Sequence, residues 1–123
     1  MTSIDMNASK GNLVRNGESA AKARDPLPRL LAQLLERAGA PVTVDRAASR
    51  PWASALFQGR RHVVALTLAG PDAAERRAAF VEGIEEAEWN LTGHFVADIS
   101  VDGNRPAPGG EWIELSALTI EDW

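Results

Sequence analysis

The chain has 123 residues and a mass of 13.2 kDa, the size of one domain able to bury about two-thirds of its extended-chain surface. With 45% hydrophobic and 24% charged residues, it is globular in composition rather than disordered or collagenous. The lack of cysteine excludes a disulfide scaffold, thiolate zinc sites, iron–sulfur clusters and a Cys nucleophile. No apolar run approaches the roughly eighteen residues of a membrane span.

Residues 1–25 are rich in Ser, Asn, Gly, Ala and Lys, with Leu13 and Val14 as the one adjacent pair of large apolar residues. This stretch reads as a mobile arm ahead of a single α+β domain over 26–123. It has no apolar signal-peptide core, so a cytoplasmic location is expected. Both lysines, Lys10 and Lys22, lie in the arm and every later base is Arg; with the heavy Ala usage, this skew points to a GC-rich bacterial genome.

A first helix is bounded by Asp25 as cap, Pro26 at its first position, and Gly39 and Pro41 at its end. Leu27, Leu30, Leu31, Leu34, Leu35 and Ala38 form a wide apolar stripe along it. A strand opening at Val42 is expected to break near 47–51, where Pro51 cannot donate to a ladder, and to resume over 52–57. Gln58, Gly59 and Arg60 resemble a tight hairpin turn. The next strand, over 62–68, is apolar on both faces, as in a central strand. A second helix is expected from Asp72 to about 89–90, since Asp72 and Glu75 approximate a capping box. The run after Gly93 alternates through Phe95, Ala97, Ile99 and Val101, a strand signal. Residues 103–110 read as a hairpin loop. A last strand over 112–120 changes phase near Ala117 and Leu118, where a bulge or strong twist is expected. Helix–strand–strand twice over predicts one four-stranded antiparallel sheet with both helices on one face. That order is similar to a circularly permuted ferredoxin-like sandwich. Its expected core contains Leu31, Leu34, Leu66, Phe80, Ile84, Phe95 and Ile99.

The net charge of −4 is unevenly spread. Residues 82–123 hold ten acids against Arg105 alone, a net of −9; residues 26–81 carry +4 and residues 1–25 carry +1. A solvated acidic surface is the plainest reading, and a basic protein partner the functional alternative. Nucleic acid is disfavoured, since phosphate binding rests on clustered bases. The one candidate cluster is Arg60, Arg61 and His62 at the expected hairpin tip.

His62 and His94 are weak ligand or anion candidates. His94, Asp98 and Asp102 would share a strand face, but residues four apart on a strand are separated by roughly 13 Å, too far for one ion. No serine sits in a nucleophile-elbow pattern, and 103–110 lacks phosphate-loop spacing. No catalytic residue, cofactor or metal site is assigned. The four tryptophans are more unusual: Trp52 and Trp89 are expected in the core, whereas Trp112 and the terminal Trp123 suit an interface. With both helices on one face, the apolar residues on the other face of the last strand would form a patch larger than most monomers expose. The expectation is a non-catalytic binding or assembly module that self-associates as a homodimer through Trp112, Leu118, Ile120 and Trp123. The alternatives are a ligand-binding or enzymatic pocket between helices and sheet, and a nucleic-acid module using Arg60 and Arg61.

Overall fold

The computed structural model describes residues 25–122. The expected arm, apart from Asp25, and Trp123 lie outside them. Helix α1 (Leu27–Ala38) is followed by β1 (Val42–Ala53) and β2 (Gln58–Leu68), then α2 (Ala73–Val81) and a short 3-10 turn (Ile84–Glu86). Strands β3 (His94–Ala107) and β4 (Gly110–Glu121) complete the chain. The sheet is antiparallel in the order β1-β2-β4-β3, with both helices packed against it. This is the expected architecture; the strand order itself is a finding of the structure. No helix among the described residues is long and apolar enough to cross a membrane.

The first helix follows most of its sequence signals, but Pro26 is the N-cap rather than the first helical residue, and Asp25 stands one position before it. Asp25 Oδ1 accepts the Leu27 N–H at 2.9 Å, and Leu30, Leu34 and Ala38 are buried at intervals of four residues. They share one buried core with Val64, Leu66 and Leu68 of β2, Ile113, Leu115 and Ala117 of β4, Ile99 of β3, and Phe80 and Ile84. Leu31 packs against this core while only partly buried.

Arginines fasten the helices at the rim. Arg76 of α2 donates to the carbonyls of Ala38 at 3.1 Å and Gly39 at 3.0 Å, and also to that of Ala69. With the Pro41 carbonyl at 3.4 Å, four carbonyls from two connections thus converge on one guanidinium, at the C-terminal end of α1 where the helix dipole favours a cation. Arg37 of α1 donates to the carbonyls of Phe80 at 2.8 Å and Glu82 at 2.7 Å, and its guanidinium lies over the Phe80 ring.

Several boundaries differ from expectation. Strand β1 is continuous through residues 47–51, because it is an edge strand and Pro51 withholds no bond from a second neighbour; its register shift lies between Val44 and Arg46. The β1–β2 turn is made by residues 54–57, where the Ser54 hydroxyl accepts the Phe57 N–H at 3.1 Å. Gly59 is therefore inside β2, where a Cβ would stand 2.0 Å from the Thr119 carbonyl oxygen. Close approach of β4 explains this glycine, not a turn. Helix α2 ends at Val81, and Gly83, at a φ of 72°, turns the chain into the 3-10 segment; the expected helix to residues 89–90 is not formed. Asp72 accepts from Arg76 Nε at 3.0 Å rather than capping the helix backbone.

Strand β3 extends to Ala107, so most of the expected 103–110 loop is ladder. It is also β3, not β4, that carries the bulges, between Val96 and Asp98 and between Val101 and Gly103. Strand β4 pairs without a shift along β2, so no bulge forms at Ala117 and Leu118. The first β3 bulge rotates the strand by one residue. It puts Phe95 on the helix-free face, 43% exposed, whereas Ile99 enters the core. Phe95 is thus not a core residue.

Candidate functional site

Residues opposite one another in an antiparallel ladder share a face, so the register sorts every candidate. His62 pairs with Ser49 on β1 and with Ala117 on β4, facing the helices. It is fully buried. Its Nδ1 lies 2.6 Å from Ser49 Oγ and its Nε2 lies 2.9 Å from Thr119 Oγ1. The Thr119 hydroxyl donates to the Arg60 carbonyl at 3.4 Å, so it accepts from His62 Nε2–H. Nδ1 is then the acceptor for the Ser49 hydroxyl. One neutral tautomer satisfies the chain Ser49–His62–Thr119–Arg60 from end to end. Burial holds the imidazole far below its ordinary value, at about 4; Asp25 opposes that shift, while Arg60 and His94 add to it.

A serine bonded to an imidazole invites comparison with hydrolytic machinery, but the chemistry does not follow. The ring's second nitrogen meets a hydroxyl, where a carboxylate would be needed to stabilise an imidazolium. A histidine titrating near 4 is also a poor proton acceptor at neutral pH. The chain of bonds satisfies buried polar groups and ties β1, β2 and β4 together. Sequence reading missed it because it depends on β4 lying beside β2; paired polar residues at matching register distances were the signal.

The other candidates are dispersed. His94 is 8% exposed, faces the helix side, and has Nδ1 3.3 Å from the Thr92 carbonyl. The first β3 bulge sends Asp98, paired with Leu118, to the opposite face, so His94, Asp98 and Asp102 do not share a face as expected. Strands β2 and β3 are separated by β4, so the two histidines are not on neighbouring strands. No group of three His, Asp or Glu placed to hold a metal occurs among the described residues. Arg60 and Arg61 lie within β2 and on opposite faces, not at a hairpin tip, because the turn is four residues earlier. Arg60 Nε is 4.0 Å from Asp25 Oδ1.

An open groove of about 320 Å³ runs along α1, lined by Gln33, Glu36, Arg37, Ala87, Glu88 and Trp89. The Gln33 amide closes one end by exchanging two hydrogen bonds with the backbone of Asn90, at 2.8 and 2.9 Å. Neither histidine lines it. Trp89 packs partly buried against the core, as expected.

The sheet face turned away from the helices is the remaining surface. Across its first row, Trp52, Gly59, Ile120 and Phe95 lie in register; in the next come Arg50, Arg61, Leu118 and Asp98. Leu118 and Ile120 point to this side but are 8% and 4% exposed. The apolar area open on this face therefore belongs to Phe95, and the adjoining β1–β2 turn carries Leu56 and Phe57, 83% and 51% exposed. Trp52 faces this side half-buried, not the core. At the other end Arg105 lies over the Trp112 ring, 4.2 Å from its centre, and Asp102 accepts the Ser116 hydroxyl. Compared with protein-family models, with curated proteins and with solved structures, the chain matches none of them.

Proposed function

We propose that this chain is a non-catalytic assembly module that self-associates through the helix-free face of its sheet. The observation that carries the reading is the aromatic end of that face, where Phe95, 43% exposed, lies in one row with half-buried Trp52 next to the β1–β2 turn that carries exposed Phe57. Apolar side chains clustered on one surface mark interaction sites more often than scattered ones do, and aromatic residues are favoured anchors in interfaces. Trp112, Leu118 and Ile120 form the floor on which a partner would rest, with Trp123 beyond the described residues. No hydrolytic role is assigned to His62, held neutral by burial, or to His94, whose one hydrogen-bond partner among the described residues is the Thr92 carbonyl.

Light scattering on the full chain tests this. The expected mass is about twice 13.2 kDa at micromolar concentration, the affinity range open to a modest interface. Phe95→Glu, at an exposed position, should halve the mass while leaving the circular dichroism unchanged. A wild-type monomer at every accessible concentration would contradict the reading.

A further inference from the structure

Around its aromatic end the helix-free face is electrically divided along the strand order: Arg46 and Arg50 of β1 and Arg61 of β2 lie on one half, and Glu114 of β4 and Asp98 of β3 on the other. At the far end the signs reverse, with Arg105 of β3 over Trp112 and Asp45 of β1 bonded to Thr67. Arg46 reaches Glu114 across the sheet, at 3.9 Å. Among the described residues, Arg50, Arg61 and Asp98 make no salt bridge. Arg50 and Asp98 sit on the two edge strands in one row, three strand spacings apart, or roughly 14 Å. They are too distant to neutralise each other.

We infer that two copies of this chain pack face to face about a two-fold axis parallel to the strands, with Arg50 of each opposite Asp98 of the other. This rests on the self-association proposed above and specifies its geometry. An axis along the strands lays β1 of one copy over β3 of its partner. Arg50 then meets the partner's Asp98 twice, and Trp52 meets the partner's Phe95 twice. An axis across the strands lays β1 over β1 and β3 over β3, which sets like charges together and is disfavoured. Aligned packing of sheets is the ordinary sandwich arrangement. Four strands at about 4.8 Å and ten residues at about 3.3 Å give a face of roughly 600 Å² per copy. Two such faces total roughly 1,200 Å², the lower end of specific interfaces, so charge pairing weighs heavily in the outcome.

The test uses two single variants of the full chain, Arg50→Asp and Asp98→Arg, both at exposed positions. Each alone places two repulsive pairs in the dimer and should weaken it by about tenfold or more. Mixed in equal amounts, they should form a heterodimer in which both pairs are again of opposite charge, with affinity restored to within about threefold of wild type; sedimentation velocity reads both. Variants that dimerise alone as wild type does, or that stay apart when mixed, would overturn this geometry while leaving self-association standing. A wild-type chain that remains monomeric would give the face to another occupant, such as residues 1–24 or a different protein. It would overturn both proposals.

Discussion

The buried imidazole of His62 should make the fold acid-sensitive in a calculable way. Its proton affinity falls from the ordinary 6.5 to about 4 on folding, chiefly through burial. Above pH 6.5 the ring is neutral in both states, and the stability that goes with its neutral form is fully present. As pH falls from 6.5 toward 4 the unfolded chain takes up the proton and the folded chain does not, so stability is lost progressively through that window. Below about 4 both states are protonated and the loss levels off. A difference of about 2.5 units corresponds to about 3 kcal/mol in all, of which about 2 kcal/mol is gone by pH 5. The assay is urea unfolding at pH 7 and pH 5, for wild type and for His62→Gln, which keeps a polar side chain but removes the titration. The wild type should lose about 2 kcal/mol more than the variant between the two pH values. Equal losses would refute the claim that His62 is held neutral by burial, and with it the hydrogen-bond assignment of Ser49 and Thr119.

Four further substitutions test the packing. Leu34→Ala removes a fully buried side chain of α1 and should cost roughly 2–5 kcal/mol in denaturant unfolding, whereas Phe95→Ala should cost under about 1 kcal/mol. Gly59→Ala drives a methyl group into the Thr119 carbonyl, 2.0 Å away, and should cost at least about 3 kcal/mol, since β2 and β4 must separate to admit it. Arg76→Met retains the aliphatic stem but removes the donor from the carbonyls of Ala38, Gly39, Pro41 and Ala69; a loss of about 2–3 kcal/mol is expected, again read from denaturant midpoints.

What the sequence revealed follows the range of the forces involved. Helix α1 was legible because cap, proline, periodic leucines and terminal glycine are local signals and all agree. The order of elements, and hence the sheet architecture, followed from hydrophobic period alone. Gly59 misled because a glycine beside polar residues looks the same whether it serves a turn or a close strand. Only the position of the Thr119 carbonyl separates the two. The β3 bulges were hidden for a similar reason: an unbroken alternation from Phe95 to Val101 fits a flat strand, and the slip that exposes Phe95 arises in pairing with β4. Arg76, Arg37 and the Ser49–His62–Thr119 chain all join residues distant in sequence, so they become visible only with the register in hand. The two arginines expected at a hairpin tip moved into β2 for that reason too, and with them the nucleic-acid alternative lost its exposed tip.

Since the chain contains no cysteine, a single spin label introduced at Ser100→Cys reports directly on how two copies meet. Ser100 lies on the helix-free face of β3. The face-to-face dimer sets the two labelled backbones about 14 Å apart laterally and about 10 Å apart between sheets, so pulsed dipolar spectroscopy should show one distance near 20–25 Å once the label arms are included. Pairing of two β1 edges would instead separate the labels by about 35 Å. A distance of that length, or no intermolecular dipolar signal at concentrations where light scattering gives the doubled mass, would contradict assembly through this face.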